Sequence, residues 1–402
     1  MRKRITIALT AVFLAFVLAI TCATLIKSGR NFAYGFFKSY TDYLPEDPDV
    51  FDNVSARIRK LDYNAENRLF GKKAFNHAYA ALQMGLGKQV ISVNGSDMVR
   101  LTGGGWYNLF SGEITAKKAE EVVDFAHKAE EICGAKTVFA YCHCALFEDG
   151  LLPGDTALLD NNTEFADAVL QTLREGGVPV LDSRDSYLTS GLTIDEAANK
   201  SDVHWSHRMA LAATRDTVRL MNSEFGFDMD DTALDSTRFT DETYENLLAG
   251  VYAERLGYRS EMFDDVHLLY PSYETHITYE ELNEDMVRRE GSFREAMVTE
   301  KNLEKNKGKD YSTNAYYIYG HYLAQTHTHN EDAADLTVLV FKDSYGTPMS
   351  AYLALAAKDV YAVDLRSTKE SEFEWLERVQ PDVVVFAYSQ QMLRDFEYVI
   401  DG

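Results

Sequence analysis

The amino-acid sequence predicts an α/β fold with a mostly parallel sheet. Three observations lead to this prediction: short apolar runs typical of buried strands, amphipathic segments of helical length between them, and a regular alternation of the two from about residue 88 onward. Because parallel strands are joined by helical crossovers, this alternation places helices on both faces of one sheet. A chain of 402 residues with 46% hydrophobic residues can bury the core of such a domain.

The first half of the alternating region predicts three strands and three helices. Segment 114–133 carries apolar side chains at helical spacing, and segment 165–173 is followed by Gly176 and Gly177, which commonly end a helix. Ser206 can cap the helix that follows it. The predicted strands are 89–93, 137–141 and 178–181, and the predicted helices are 114–133, 165–173 and 207–222.

The second half resumes the alternation after a less regular, highly charged stretch at about 228–335. This stretch predicts an inserted subdomain with several short strands. Segment 336–341 has the nearly continuous apolar character of a central parallel strand. Thr347 and Pro348 then form a typical N-cap and first helical residue. The predicted strands are 336–341, 360–363 and 382–386, and the predicted helices are 348–357, 369–379 and 390–396.

The N-terminus combines a basic start with an apolar span. Three basic residues precede an uncharged run at 5–26, which is long enough to cross a bilayer, since a spanning helix takes roughly 20 residues. A signal peptide has a shorter apolar region of about 7–15 residues, so the sequence favours an uncleaved signal anchor over a cleaved signal. We therefore assign residues 1–30 to a cytoplasmic tip and transmembrane anchor, residues 31–87 to a juxtamembrane connector, and residues 88–402 to an extracytoplasmic domain.

Charge and cysteine content exclude some functions. The formal net charge is −23, and the first 30 residues carry only basic charges, so the body is more acidic still. Such a body repels nucleic acid, which we exclude as a partner. Cys133, Cys142 and Cys144 are an odd set in the body, which leaves two interpretations: one disulfide from Cys133, or three reduced thiols.

Two short segments carry the residues of a Ser-His-Asp site. Segment 201–205 reads Ser-Asp-Val-His-Trp, and segment 338–345 reads Val-Leu-Val-Phe-Lys-Asp-Ser-Tyr. Residues two apart in an extended segment point the same way, so Asp202 can hold one imidazole nitrogen of His204. The other nitrogen is then free for Ser344, which lies at the carboxyl end of a predicted strand.

Each segment alone has a structural interpretation. Ser344 can be a turn serine with Asp343 as a local cap, and His204 can be a structural histidine. The occurrence of both segments in one exported α/β chain favours a shared site, because a serine hydroxyl needs a base to act as a nucleophile. Helix dipole and backbone N–H groups at such a strand end can also hold an oxyanion.

The two segments resemble the SGNH-hydrolase-like family of the alginate O-acetyltransferase type. The resemblance is closest to its Gram-positive branch, whose motifs read roughly Asp-His-His-Trp and Lys-Asp-Ser-Tyr. Segments 151–154, 176–182 and 381–385 resemble further parts of that fold. The resemblance covers about residues 88–402 and implies an SGNH-like three-layer fold.

The resemblance also implies roles for the residues of the site. Asp202 would orient His204, His204 would be the base, and Ser344 would be acylated. Trp205, Asp343 and Tyr345 would support the site by holding its loops. The chain departs from the family at Val203, where relatives often carry a second histidine, and Lys342 replaces the glycine of the alginate-acetylating members.

The function that the resemblance implies is transfer of an acetyl group to a cell-surface polysaccharide. The acetyl group would come from a multi-spanning membrane acyltransferase. The alternatives are a carbohydrate acetylesterase and a catalytically silent polysaccharide-binding or scaffold protein of an envelope assembly. The sequence contains no nucleotide-binding glycine motif, and we expect no cofactor and no metal.

Three weaker patterns have alternative interpretations. His321, His327, His329 and Glu331 could bind a metal, although a surface loop with spare histidines is favoured. Segment 142–144 (Cys-His-Cys) could be half of a zinc site, but no second pair completes it. A tyrosine-rich segment could either stack on carbohydrate or form one aromatic face of a strand. Its tyrosines are Tyr316, Tyr317, Tyr319 and Tyr322.

Overall fold

The computed structural model describes residues 10–27, 69–282, 287–322 and 325–395. The chain divides into two units, Met1–Leu82 and Gln83–Gly402. Most of the predicted connector at 31–87 lies outside the described residues.

Each helix predicted in the alternating region corresponds to an observed helix, whose ends differ from the prediction by a few residues. They are α1 (Thr10–Lys27), α2 (Lys72–Gly85), α3 (Lys117–Cys133), α4 (Asn162–Glu175), α5 (Ser183–Ser190), α6 (Ile194–Ala197), α7 (His207–Phe225), α8 (Val251–Leu256), α9 (Phe293–Met297), α10 (Gly346–Leu353), α11 (Glu372–Val379) and α12 (Gln390–Asp395).

The strands form one large sheet and two small ones. They are β1 (Val90–Val93), β2 (Ser96–Arg100), β3 (Trp106–Asn108), β4 (Lys136–Cys142), β5 (Val180–Asp182), β6 (Phe239–Leu248), β7 (Asp264–Pro271), β8 (Ile277–Glu281), β9 (Arg288–Gly291), β10 (Gln325–His329), β11 (Ala334–Lys342), β12 (Ala357–Val363) and β13 (Val383–Ser389).

Helix α1 is apolar over its whole length. Its 18 residues have a mean hydropathy of 2.1, and they span about 27 Å at 1.5 Å per residue. Its side chains are mostly exposed, as in Phe13 and Leu18. By length and composition this helix fits either a membrane anchor or a signal sequence.

The large sheet is mixed, and its parallel part dominates. Its order is β5-β4-β13-β11-β12-β10-β8-β9. The first five of these strands are parallel to one another, and the last three run antiparallel. The predicted mostly parallel α/β sheet is therefore confirmed. Three antiparallel strands at its edge come from the less regular stretch at 228–335, which also forms the β6–β7 pair.

Two hydrophobic cores lie on the two faces of the large sheet. Alternate residues of β11 point to opposite faces, as expected for a strand that is buried on both sides. Val338 and Val340 pack in the core that includes α7 and α10, whereas Leu339 and Phe341 pack in the core that includes α3, α4 and α11. This is the three-layer arrangement that the sequence predicts.

The first predicted strand of the domain has a different partner. Segment 89–93 corresponds to β1, which pairs with β2 and β3 in a separate antiparallel sheet. Asn94 and Gly95, both with positive φ, make the tight turn between β1 and β2. This small sheet lies outside the parallel sheet, although its strand pattern resembles the others.

Register brings three strand ends to one edge of the large sheet. Lys342 of β11 pairs with Ala387 of β13, and Ser389 of β13 pairs with Cys142 of β4. The carboxyl ends of these parallel strands therefore meet, which is where open α/β sheets bind ligands.

Candidate active site

A sharp strand-to-helix turn presents Ser344. Strand β11 ends at Lys342, and α10 begins at Gly346. A Cβ atom on Gly346 would lie 2.8 Å from the Cβ of Lys342 and 2.9 Å from the carbonyl oxygen of Ala387, so only glycine allows this turn to be so tight. The predicted N-cap at Thr347 is wrong, because Tyr345 occupies that position and the helix starts earlier.

Asp202, His204 and Ser344 lie in one line of contacts. The Oγ atom of Ser344 is 2.7 Å from Nε2 of His204. Nδ1 of His204 contacts Oδ1 of Asp202. With the imidazole proton on Nδ1, His204 donates to Asp202 and its Nε2 accepts from the Ser344 hydroxyl. The structure thus brings together the three side chains that the sequence groups in one site.

Asp202 is buried, and it remains a carboxylate. Its Oδ2 accepts a hydrogen bond of 2.9 Å from the backbone N–H of Val251, and its Oδ1 accepts one of 3.1 Å from the N–H of His204. Burial alone would raise the pKa of Asp202, but the imidazole of His204 and these two N–H groups outweigh burial and lower the pKa. The negative charge can therefore orient His204 and stabilise its protonated form.

A second buried carboxylate holds the loop before Asp202. Asp264, at the start of β7, accepts hydrogen bonds from the backbone N–H groups of Lys200 at 2.7 Å and Ser201 at 2.8 Å, and from the Ser201 hydroxyl. Burial raises the pKa of Asp264 to about 6. Sequence reasoning missed this residue, because nothing in the local pattern of β7 indicates that it faces a loop 63 to 64 residues earlier.

Trp205 and Tyr345 join the two motifs. The indole N–H of Trp205 donates to the carbonyl oxygen of Tyr345 at 3.1 Å. The hydroxyl of Tyr345 in turn donates to the carbonyl oxygen of Val203. Each motif thus holds the backbone of the other, which limits how far Ser344 and His204 can move apart.

Asp343 fastens the Ser344 turn to the neighbouring strand. Its Oδ1 accepts from the N–H of Tyr345 at 2.9 Å, which makes it the local cap that the sequence allows. Its Oδ2 accepts from the N–H and hydroxyl of Ser389, at 2.9 and 2.6 Å. Asp343 therefore joins the ends of β11 and β13 and supports the turn, and its carboxylate points to these donors.

Tyr316 and Tyr317 complete the surroundings of His204. The ring of Tyr316 is stacked on the His204 imidazole, with centroids 4.0 Å apart and planes at 14°. The ring of Tyr317 meets the imidazole edge to face at 5.8 Å. The Tyr317 hydroxyl interacts with the Ser344 side chain, while burial raises the pKa of Tyr317 to about 12, so this phenol keeps its proton.

This arrangement contradicts both interpretations of the tyrosine-rich segment. Tyr316 and Tyr319 are buried, and Tyr317 is partly buried beside Ser344, in a stretch without regular strand structure. These tyrosines form neither an exposed carbohydrate platform nor one face of a strand. The side chain of Tyr322 lies outside the described residues.

Lys342 is a buried amine close to the turn. It is 1% exposed, and burial lowers its pKa to about 8. The Asp364 carboxylate, which is paired with Arg366 at 2.6 Å, acts against this shift. The structure gives Lys342 no contact with His204 or Ser344 that would make it part of the Asp202–His204–Ser344 line.

The remaining histidine and cysteine patterns have structural partners. His327 and His329 lie on β10, and both contact the Asp359 carboxylate, at 2.8 and 2.9 Å. The imidazole of His143 is hydrogen-bonded to the hydroxyl of Tyr141 and to the carbonyl oxygen of Leu146. Over the described ranges, no group of three or more His, Cys, Asp or Glu side chains is arranged to hold a metal ion. The cysteines are free thiols: Cys22, Cys133, Cys142 and Cys144.

Comparisons with known proteins bear on the fold. No protein-family model matches the sequence, and no curated protein matches it either. Solved structures that share its architecture include the following two. A DHHW family protein from Eubacterium siraeum superposes with a TM-score of 0.56 at 14% identity, covering 75% of this chain and 93% of its own. Bacillus cereus PatB1, solved with a sulfonyl adduct, superposes with a TM-score of 0.60 at 15% identity, covering 77% and 100%.

The chain has the SGNH-like fold of these proteins. The resemblance inferred from the two motifs is thus confirmed for the fold, and at these identities the comparison concerns the fold alone. A looser match is the O-acetyltransferase domain of Pseudomonas putida AlgJ, with a TM-score of 0.44 at 13% identity, covering 76% of this chain and 94% of that domain.

Proposed function

We propose that this protein is an extracytoplasmic O-acetyltransferase that acts on a cell-surface polysaccharide through an acetyl group carried on Ser344. The observation that carries the proposal is the contact of His204 with both Asp202 and Ser344. The motif resemblance supports acetyl as the group transferred, and the shared SGNH-like fold is consistent with it.

The proposed reaction has two halves with one base. In the first half, Nε2 of His204 takes the proton of Ser344 while Oγ forms a bond to the acetyl carbon of the donor. His204 then gives that proton to the leaving group as the bond between the acetyl carbon and the donor breaks. The product of this half is an acetyl ester on Ser344.

The second half reverses these steps with a sugar hydroxyl. His204 takes the proton of the hydroxyl, whose oxygen attacks the acetyl carbon, and Ser344 regains a proton from His204 as its ester bond breaks. In both halves Asp202 stabilises the imidazolium that forms between the steps. Water in place of the sugar would make the protein an acetylesterase with the same residues.

Helix α1 supports a location at the membrane. An apolar helix of this length can anchor the body beside a multi-spanning acyltransferase, which would pass the acetyl group across the bilayer to Ser344. The anchor and this partner are parts of the proposal.

The test is direct detection of the acetyl-enzyme. Full-length protein is mixed with p-nitrophenyl acetate, quenched in acid and digested. The mass of the peptide that contains Ser344 is then measured by mass spectrometry. We expect a gain of one acetyl group on that peptide and none in Ser344→Ala. His204→Ala and the double variant should lose the label to a similar extent, because residues of one catalytic unit do not act additively.

A further variant and an acceptor assay separate the alternatives. Asp202→Asn should fold, and its Ser344 should be acetylated roughly 10⁴-fold more slowly than in wild type, because the amide can hold the imidazole in the wrong tautomer. Adding the organism's purified envelope polysaccharide should move the label from Ser344 to the polymer. Release of free acetate alone would favour the esterase. If Ser344 is never labelled, and if Ser344→Ala leaves polymer acetylation in cells unchanged, the scaffold alternative is correct.

A further inference from the structure

Two adjoining cavities lead from the surface to the loops that carry the motifs. The outer cavity has a volume of about 500 Å³ and lies beside the small β1–β3 sheet. The inner cavity has a volume of about 170 Å³. Gly95, Ser96, Asn108 and Phe110 line both of them, so the two lie side by side. We call the pair the side groove.

The inner cavity adjoins the candidate active site. Its walls include Val203, which stands between Asp202 and His204, and Tyr345, which follows Ser344. The ring of Tyr345 lies 4.7 Å from the imidazole of His204, centroid to centroid. The inner cavity therefore lies within one side chain of the reacting groups.

The inner cavity also lies at the edge of the sheet where ligands bind. Cys144 and Gln390 follow the carboxyl ends of β4 and β13, and both line the cavity. Ser344 follows the carboxyl end of β11, the strand that pairs with β13. The cavity and Ser344 thus both lie at the carboxyl ends of the parallel strands.

The walls of the side groove are polar, aromatic and balanced in charge. Asp97 and Glu113 are matched by Arg255 and Arg394, although the whole chain has a net charge of −23. Uncharged hydrogen-bonding and aromatic side chains make up much of the rest. They include Ser96, Asn108, Gln390, Gln391, Phe110 and Tyr252. Such walls suit an uncharged ligand with many hydroxyl groups and apolar ring faces.

Two amide oxygens in these walls lack a partner. Oε1 of Gln390 and Oδ1 of Asn108 are buried, and no hydrogen bond reaches either of them from the part of the chain that the structure describes. Gln390 is 2% exposed. A buried acceptor without a donor is unfavourable, and a ligand hydroxyl could satisfy it if the amide side chain rotated to expose its oxygen to the cavity.

We propose that the side groove binds the acceptor, an uncharged polyhydroxylated sugar chain, with its terminal or branching sugar in the inner cavity against Tyr345, the residue that follows Ser344. This inference rests on the proposed function, and it adds where the polysaccharide lies and what charge it has. The two volumes together fall within the range of roughly 300–1,000 Å³ that is typical of ligand sites.

Bulky substitutions on separate elements test the groove. Ser96→Trp fills the junction of the two cavities from β2, and Gln391→Trp fills the inner cavity from α12. Ser223→Trp is the matched control, because Ser223 is exposed on α7 and lines neither cavity. Each full-length variant replaces the native copy in the cell of origin.

Two readouts are compared for every variant. The first is acetate released by mild base from the envelope polysaccharide of the cells. The second is the rate at which p-nitrophenyl acetate labels Ser344 in the purified full-length chain. Thermal unfolding of each purified variant shows whether it is folded, and a folding defect in one groove variant leaves the other decisive.

The expected result is a selective loss at the polymer. Both groove variants should lower polymer acetate at least tenfold relative to the Ser344 labelling rate of the same variant, and Ser223→Trp should keep both readouts at wild-type values. If folded groove variants keep the wild-type ratio of polymer acetate to Ser344 labelling rate, the side groove does not bind the acceptor. The proposed function would be unaffected by that result. An equal fall in polymer acetate and in Ser344 labelling also contradicts acceptor binding in the groove. In that case the substitution impairs Ser344 itself. Failure of the wild-type chain to label Ser344 would instead overturn the proposed function.

Discussion

Gly250 lies directly against the carboxylate of Asp202. A Cβ atom on Gly250 would be 2.2 Å from Oδ2 and 2.3 Å from Cβ of Asp202, far inside any normal contact. The backbone of Gly250, with φ −74° and ψ −167°, is extended and open to any residue, so the restriction at this position is steric. The N–H of the next residue, Val251, donates to the same carboxylate. The start of α8 therefore positions the side chain of Asp202.

We therefore predict that Gly250→Ala displaces Asp202. A shift of about 1 Å at a catalytic group can lower a rate by roughly a hundredfold, so we expect a loss of that size in the labelling of Ser344 by p-nitrophenyl acetate. Gly85→Ala is the control, since no heavy atom lies within 4 Å of its Cβ position. A labelling rate in folded Gly250→Ala equal to that of wild type would show that Asp202 does not need its present position.

Tyr317 offers a second prediction. Its hydroxyl interacts with Ser344, and its pKa of about 12 keeps it protonated through the working pH range. Tyr317→Phe removes a hydrogen-bonding group from the nucleophile, and we expect the labelling rate to fall roughly tenfold, the effect of losing one hydrogen bond. The fall should be in the maximal rate, with little change in the concentration of ester that gives half of that rate.

The control for Tyr317 lies in the same part of the chain. Tyr311 stacks on Tyr258 with centroids 4.9 Å apart and contacts Phe263, away from the candidate site. Tyr311→Phe should label Ser344 at the wild-type rate, and both variants should unfold at the wild-type temperature. A similar loss in both variants would mean that the effect comes from the packing of this segment rather than from the Tyr317 hydroxyl.

The sequence predicted the parts of the site that local patterns carry. The apolar run at 336–341 indicated β11, and the position of Ser344 after it followed from strand length alone. The spacing of two residues predicts that Asp202 and His204 act together. Periodicity and chain order lead to these predictions without knowledge of distant contacts.

The remaining parts depend on the path of the chain through space. Tyr316 and Tyr317 reach the site from a stretch without regular secondary structure, and Asp264 reaches it from the start of β7, whose pattern does not show which loop it faces. The early start of α10 depends on the close packing of Gly346 against its neighbours, which a turn rule for Thr347 and Pro348 cannot include. Likewise, the apolar pattern of β1 shows a strand but not which sheet it joins.

The location of the body is open to a direct test. The apolar helix α1 with its basic start predicts that residues 88–402 lie outside the cytoplasm. Protease added to intact protoplasts that express the full chain should digest this body, whereas a cytoplasmic marker protein should survive. Complete protection, with digestion only after lysis, would contradict the extracytoplasmic assignment.

The buried amine of Lys342 gives the last prediction. Burial lowers its pKa from 10.5 to about 8, so at pH 7 the folded chain holds a buried positive charge. A shift of this size corresponds to a destabilisation of roughly 3 kcal/mol at that pH. Lys342→Met keeps an unbranched side chain and removes the charge, so we expect the free energy of unfolding at pH 7 to rise by up to that amount.

The sign of the pH dependence is also determined. Between about pH 8 and 10.5 the unfolded chain binds the Lys342 proton more tightly than the folded chain does, so the wild-type protein gains stability relative to Lys342→Met as pH rises. Urea unfolding at pH 7 and pH 9.5, followed by the fluorescence of the buried Trp106, Trp205 and Trp375, measures this difference. Lys88→Met, at an exposed lysine, should show no comparable change between the two pH values. If Lys342→Met is less stable than wild type at pH 7 and the difference does not change with pH, the Lys342 charge is fully compensated in the fold, and its role is to bind Asp364 rather than to destabilise β11.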